Sequence, residues 1–285
     1  MWHFDNIPKK MHCYWGRSRP LSYLRFLTVK SFSQLNPDWE IIVYTDQDTE
    51  YVPQSWQSTS FEKEDTYKGK DWFPELEKVE GTEIVEVDFS DTPVANKHDV
   101  FKSDFLRWRL LRDQGGLWSD FDIVYFKPIH YLPENKVHNR GMETILCKYD
   151  WLGKYAIGFI MASPNNLLMD RVCNLFDKYF DETRFQSGGN ELLQQATSTK
   201  RRFSNFSLML HEKCVYPLLY NSLHKLGDMS ERWSESIGFH WYGGAKIMVS
   251  AENTVRETDN ILVGDIELNL RNALVEAQKP CSLYL

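Results

Sequence analysis

Apolar positions recur with legible spacing along the first half of the chain. From Pro8 to Trp15 the residues Met11, Cys13 and Trp15 fall on one side of an extended segment, which predicts a buried strand ended by the loop Gly16-Arg17-Ser18-Arg19-Pro20. Leu21 to Leu35 changes to helical spacing, with Leu24, Leu27 or Thr28, Ser31 and Leu35 near one face. Asn36-Pro37-Asp38 closes that helix, because proline pushes the residue before it out of helical geometry. Trp39 to Thr45 is a β-prone run that ends at Asp46. Strand, helix and strand in that order predict a βαβ unit, hence a parallel pair with a helix packed over it.

From Phe61 to Gly81 the chain turns charged and aromatic without a long period, which reads as a solvated excursion from the sheet or as a flap over an acceptor. Glu83 to Phe89 predicts another strand. Val94 to Gln114 predicts a helix, with Phe101, Phe105, Trp108 and Leu110 or Leu111 at three- and four-residue steps. Gly115-Gly116 ends it, since glycine accepts the left-handed conformation wanted just past a helix. Leu117 to Ser119 and Ile123 to Phe126 predict short strands flanking an acidic pair, and Pro128 limits further pairing. Beyond Pro133 the pattern predicts strands over Glu143 to Tyr149 and Ile157 to Ala162. It also predicts a helix over Asn166 to Phe180, with Leu168, Val172, Leu175 and Tyr179 on one face, and another from Glu191 to Ala196. With no repeat or linker-like stretch, residues 1–285 are expected to form one α/β domain.

Composition narrows the partners. A chain with 42% hydrophobic and 26% charged residues has the balance of a globular protein with a sizeable core. Its net charge of -7 argues against gripping nucleic acid, which needs dense Lys and Arg. Cys13, Cys147, Cys173, Cys214 and Cys281 form no CxxC pair, so neither a disulfide framework nor a zinc site is indicated, and a reducing compartment is expected. The longest apolar run, Tyr155 to Ala162, is too short to span a bilayer, so a soluble, cytoplasmic chain is expected, with peripheral membrane attachment left open. The 14% aromatic content can fill core or stack on sugars and bases.

The acidic pair Asp120-Phe121-Asp122 carries the candidate chemistry. Two aspartates one residue apart, where a buried strand meets a loop, can aim oxygens at one hard cation such as Mg²⁺ or Mn²⁺. That cation in turn neutralises charge on a departing diphosphate. Alone, the pair reads as two solvated aspartates, and Asp104 with Arg107, three apart on one helix face, as a surface ion pair.

The stretch Lys102-Ser103-Asp104-Phe105-Leu106-Arg107 through Gln114-Gly115-Gly116-Leu117-Trp118-Ser119-Asp120-Phe121-Asp122 resembles the glycosyltransferase sugar-binding region containing the DXD motif. That family includes the initiating yeast mannosyltransferases and related bacterial and viral enzymes, grouped as glycosyltransferase family 32. The chain keeps the pattern of a small residue and Asp, an Arg, two glycines, an aromatic and D-x-D, with Trp118 where tyrosine is usual. Ile7 to Gly16 is similar to the family's first strand and Asn36 to Glu40 to its next turn; the second half resembles the family loosely.

The resemblance implies a GT-A fold, with a single Rossmann-like, mostly parallel sheet flanked by helices. Residues up to about 130 would bind the nucleotide sugar and the remainder would face the acceptor. It implies a UDP- or GDP-linked donor with Mn²⁺ or Mg²⁺, a carbohydrate or glycoconjugate acceptor, and retention of anomeric configuration. Asp122 would ligate the metal, Asp120 would reach the ribose or sugar, Asp104 and Arg107 would hold sugar hydroxyls, and Tyr14 and Trp15 would lie along the nucleotide. His240, within Gly238-Phe239-His240-Trp241, matches the family's late His-Trp segment and becomes a candidate ligand; taken alone, a histidine between aromatics reads as a satisfied core residue. Gln186-Ser187-Gly188-Gly189-Asn190 falls where the family places a small-Gly segment near the donor, but Gly189 stands in place of the usual proline, and a plain helix-starting loop explains it equally. Two other readings stay open: a haloacid-dehalogenase-like phosphatase using Asp120-Phe121-Asp122-Ile123-Val124, and a non-catalytic metal-dependent carbohydrate-binding protein.

Overall fold

A computed structural model describes residues 4–46, 50–56, 67–132, 143–149, 154–198, 207–228 and 233–278. The first strand, β1 (Lys10–Tyr14), leads through a loop to α1 (Tyr23–Leu35) and then β2 (Glu40–Asp46), the expected βαβ unit. The strands pair in parallel, Met11 against Ile41 and Cys13 against Val43. Ser22 caps α1 by accepting from the Arg25 N–H, and Asn36 ends it. Asn36 also turns its amide back onto Phe32 and accepts from the Ile129 N–H, tying two loops together.

After β3 (Thr82–Val87) comes α2 (Asp99–Asp113), shorter at its start than the periodicity predicted because residues 94–97 form turns and His98 caps the helix by accepting from the Val100 N–H. Then β4 (Gly116–Ser119), β5 (Ile123–Tyr125), β6 (Thr144–Tyr149), β7 (Lys154–Ala162), α3 (Leu167–Tyr179), α4 (Asn190–Thr197), β8 (Ser207–His211), β9 (Gly238–His240), α5 (Lys246–Thr254) and α6 (Ile266–Gln278) follow. Seven described strands form one sheet in the order β3-β2-β1-β4-β7-β6-β8. Every neighbouring pair is parallel except the two made by β7, which runs against β4 and β6. This is the expected α/β arrangement of a mostly parallel sheet flanked by helices.

Period-two alternation sends the strand side chains to two cores. Met11, Cys13, Ile41, Val43 and Leu117 pack with α1, α5 and α6 on one face. Tyr14, Ile42, Tyr44 and Trp118 pack with α2, α3 and α4 on the other.

Three expectations are corrected. The sheet is not the only one, because β5 leaves it to pair with β9 in a separate antiparallel ribbon. Helix α3 buries Leu168, Met169, Val172, Cys173 and Phe176 and leaves Tyr179 exposed, a face rotated from the predicted one because α2 and α4 both pack on it. Within the excursion, residues 61–66 lie outside the described residues. The rest is docked: Trp72 packs on Tyr23 and Phe26 with ring centroids 4.9 and 5.3 Å away, and Leu76 is buried. Asp71 explains this docking, since it accepts from the Leu21 N–H at 2.8 Å and fastens the segment to the start of α1. Cys13, Cys147, Cys173 and Cys214 are buried free thiols; Cys281 lies outside the described residues. No helix among the described residues is long and apolar enough to cross a membrane.

Candidate active site

The two glycines after α2 decide where the acidic pair lands. Gly115 and Gly116 have φ of +68° and +94°, and a Cβ on Gly116 would sit 2.4 Å from the Lys10 carbonyl oxygen. Only glycine lets the chain turn this close against β1. His12 holds the turn from beneath, with Nε2 2.9 Å from the Gly115 carbonyl and Nδ1 3.2 Å from the Tyr44 hydroxyl. From there β4 runs into the acidic pair, and the Asp120 N–H donates to the Gly158 carbonyl of β7 at 2.8 Å. Phe121 is buried edge-on against Trp15, which leaves the aspartates on either side of it facing the cavity.

The two carboxylates are held differently. Asp120 Oδ1 accepts from the Trp118 indole N–H at 2.7 Å and from Arg107 Nη2 at 2.9 Å. Trp118, the departure from the usual tyrosine, thus positions the motif directly. Arg107 Nη1 stands 3.1 Å from Asp104 Oδ1, so α2 delivers a buried Asp104–Arg107 pair that reaches the partly exposed Asp120, instead of a surface ion pair. Burial pushes the Asp104 carboxyl up to about 7; Arg107 opposes the rise and the Asp120 charge adds to it.

Asp122 Oδ2 accepts from the Gly243 N–H at 2.9 Å, and its backbone carbonyl accepts from the Trp241 N–H at 2.8 Å. The β5–β9 ribbon sets this up by pairing Ile123 with His240, which places His240 Nε2 3.0 Å from Asp122 Oδ1. Burial would raise the Asp122 carboxyl, but His240, Arg25 and the Gly243 N–H outweigh it and hold it at about 2.

Asp120, Asp122 and His240 each present a ligand atom, all within 4.8 Å of one another. The two carboxylate oxygens suit a hard cation such as Mn²⁺ or Mg²⁺, and the added imidazole favours the softer Mn²⁺ of the two. Buried Asp122 Oδ1 and His240 Nδ1 have no hydrogen-bond partner, which fits a cation held by this donor set. The His240 ring is gripped between Tyr216 and Tyr242, with centroids 4.8 and 4.4 Å away.

Seven residues singled out from the sequence border a single cavity of about 840 Å³: Asp104, Arg107, Asp120, Asp122 and His240 around the acidic pair, Tyr14 and Trp15 on the adjoining wall. The Tyr14 hydroxyl donates to Asp46 at 3.2 Å and the Trp15 indole N–H to the Arg19 carbonyl at 3.2 Å, so these two meet the cavity through their rings. Of the small-Gly segment, Gln186 and Asn190 reach the cavity. A Cβ on Gly189 would lie 2.8 Å from Asp104 Oδ2, so that segment both starts α4 and closes over Asp104.

Sequence reasoning missed Arg25, which lies in the cavity wall with its guanidinium over the Trp15 and Trp241 rings at 4.9 and 5.2 Å and is paired with Glu252 of α5. A lone arginine inside the otherwise apolar start of α1 was the available signal. Tyr216 and the Gly243-Gly244 turn were also missed, and no local pattern marks them.

Known proteins add an independent line. Residues 25–140 match the model of the family described as glycosyltransferase sugar-binding region containing DXD motif. No curated protein matches the chain by sequence. Among solved structures, the chain is similar to the PaToxG glycosyltransferase at 15% identity, covering 68% of this chain and 70% of that one with a TM-score of 0.48. It is similar to the galactosyltransferase LgtC, solved with donor and acceptor sugar analogues, at 10% identity over 95% of each chain with a TM-score of 0.46. It is also similar to the glycosyltransferase GlyE of Streptococcus pneumoniae TIGR4 at 12% identity, covering 96% of this chain and 60% of that one with a TM-score of 0.49. The matched family segment spans the Arg107 row, the glycine turn and both motif aspartates. Residues 25–140 are thus similar, as a segment, to the glycosyltransferase sugar-binding region containing the DXD motif.

Proposed function

We propose that the chain, acting as one domain, moves a hexose from a UDP- or GDP-linked donor to a hydroxyl of a carbohydrate or glycoconjugate acceptor, with Mn²⁺ or Mg²⁺ and with retention. The observation that carries this is the convergence of Asp120, Asp122 and His240 within 4.8 Å beside the buried Asp104–Arg107 pair. A divalent ion held by those three residues would neutralise the charge of the departing diphosphate. The protein's own groups do the rest. Asp104 and Arg107 bind donor sugar hydroxyls, and Tyr14 and Trp15 flank the nucleotide. Gly243, whose N–H fixes Asp122, keeps the carboxylate aimed without side-chain rearrangement.

Front-face attack is the favoured route, the leaving diphosphate taking the acceptor proton. An inverted product anomer by NMR would refute that route. The site assignment is tested by screening UDP- and GDP-sugars with Mn²⁺ by thermal shift. A ligand at a hundred times its Kd stabilises by about 2.7 kcal/mol. Asp122→Ala should abolish both that stabilisation and turnover, and retention of either overturns the assignment.

A further inference from the structure

Away from the acidic pair, the cavity continues past Trp15 to an end bordered by Gly16, Arg19, Trp56, His98 and Asp99. Trp15 links the two ends, because its ring meets Phe121 of the motif at 5.7 Å and Gly16 follows it in the chain. The carboxylate of Asp99, the first residue of α2, lies against that glycine. A Cβ on Gly16 would fall 2.3 Å from Asp99 Oδ2, so only glycine lets the loop after β1 pass this close to it.

Protein contacts do not saturate this carboxylate. The Tyr14 hydroxyl donates to Oδ1 at 3.4 Å and the Ser18 hydroxyl to Oδ2 at 3.2 Å, while Arg19 Nε stands 4.0 Å from Oδ2. All three are long for bonds to a charged group, which close to about 2.5–2.9 Å when strong. An ionised carboxylate has roughly four acceptor sites, so capacity remains, and the side chain is 17% exposed. Burial raises the Asp99 carboxyl above its usual range, Arg19 opposing and Asp46 adding, so the charge is one that ligand donors would relieve.

The chemistry of this end selects a ligand. A carboxylate repels phosphate, and the aromatic rings of Trp56 and His98 suit a flat base. Guanine presents two adjacent N–H donors, N1 and N2, which match the two oxygens of one carboxylate, and its O6 accepts from a cation such as Arg19. Uracil presents a single N–H between two carbonyls, so one oxygen of the same carboxylate would face a carbonyl oxygen instead of a donor.

We propose that Asp99 reads the guanine edge of the donor nucleotide and makes this chain selective for GDP-linked over UDP-linked sugars. This rests on the nucleotide-sugar reading above. Asp99 is then a specificity-determining residue, set at the far end of the cavity from the metal ligands.

The test is calorimetric titration of GDP, UDP and xanthosine diphosphate, each with Mn²⁺, into the full chain and into Asp99→Asn. Xanthine carries a carbonyl where guanine has its amino group, so an asparagine amide pairs with it and a carboxylate does not. The native chain should bind GDP at least about tenfold more tightly than UDP, the lower end of what one bidentate base contact is worth. Asp99→Asn should lose at least tenfold for GDP, change little for UDP, and gain affinity for xanthosine diphosphate. A merely structural role for Asp99 would move all three nucleotides together, and that result overturns the inference. So does a native chain that binds UDP as tightly as GDP, a comparison that stands even where the variant does not fold. If the native chain takes up neither UDP nor GDP with Mn²⁺, the nucleotide-sugar reading falls as well.

Discussion

Acid should loosen this protein through one histidine under the glycine turn. His12 is fully buried between β1, β2 and the turn, bonded to the Gly115 carbonyl and the Tyr44 hydroxyl. Burial lowers its pKa from 6.5 to about 4; the bond to Gly115 offsets part of the fall, and Lys10 adds to it. A folded-state value below the unfolded one means the unfolded chain takes up the proton first. The stability tied to the neutral imidazole is therefore complete above pH 6.5 and is lost as pH falls towards 4. At about 1.4 kcal/mol per pKa unit the full loss is about 3 kcal/mol, of which about 1.4 kcal/mol has gone by pH 5.5 and about 2.6 kcal/mol by pH 4.5.

Urea unfolding of the native chain and of His12→Asn at pH 7.5, 5.5 and 4.5 reads this directly. Other titrating groups are common to both proteins, so the difference in unfolding free energy isolates His12. That difference should shrink by the amounts above. A difference constant across the three pH values would refute the reasoning, and with it the view that a neutral His12 secures the turn leading to Asp120.

Replacing Gly116 by alanine combines a φ of +94° with a Cβ 2.4 Å from the Lys10 carbonyl oxygen, so a loss of at least about 2 kcal/mol is expected in the same unfolding assay. Loss below 1 kcal/mol would mean the turn can relax without disturbing β1. Glu252→Gln removes one carboxylate charge paired with the buried Arg25 guanidinium, and a cost of about 3 kcal/mol is expected by chemical denaturation. The altered charge beside Asp122 should also change Mn²⁺ affinity, measured by titration with the metal alone; an unchanged affinity would separate Arg25 from the metal site.

Much of the donor-side frame was legible because it is local. The β1–α1–β2 unit follows from apolar spacing, and α2 with Gly115-Gly116 follows from a three-and-four period stopped by two glycines. Asp104 and Arg107 share a helix face at any three-residue step, so their meeting needed no knowledge of the rest of the chain. What could not be read is that this face is buried and that Arg107 continues on to Asp120. That depends on how tightly the glycine turn folds β4 back under α2.

The second half was the less legible, again for a physical reason. Its site contributions come from short strands and turns whose partners lie far away in sequence: the Gly243 N–H on Asp122, β9 beside β5, and Tyr216 beside Gly158. Helix α3 shows the same limit, because its apolar residues cover more than one face and only its neighbours select which is buried.

For this protein, then, the order of residues by itself determined the elements of the first half, while the two motif carboxylates were singled out by the resemblance of their surroundings to a known motif. Those elements rest on i to i+4 spacing and turn chemistry, which act between near neighbours. Tertiary structure decided which oxygens are occupied and which are left facing the cavity, and that His240 completes the triad. Each of these depends on groups brought together across tens to more than a hundred residues, where packing and not sequence spacing sets the distance.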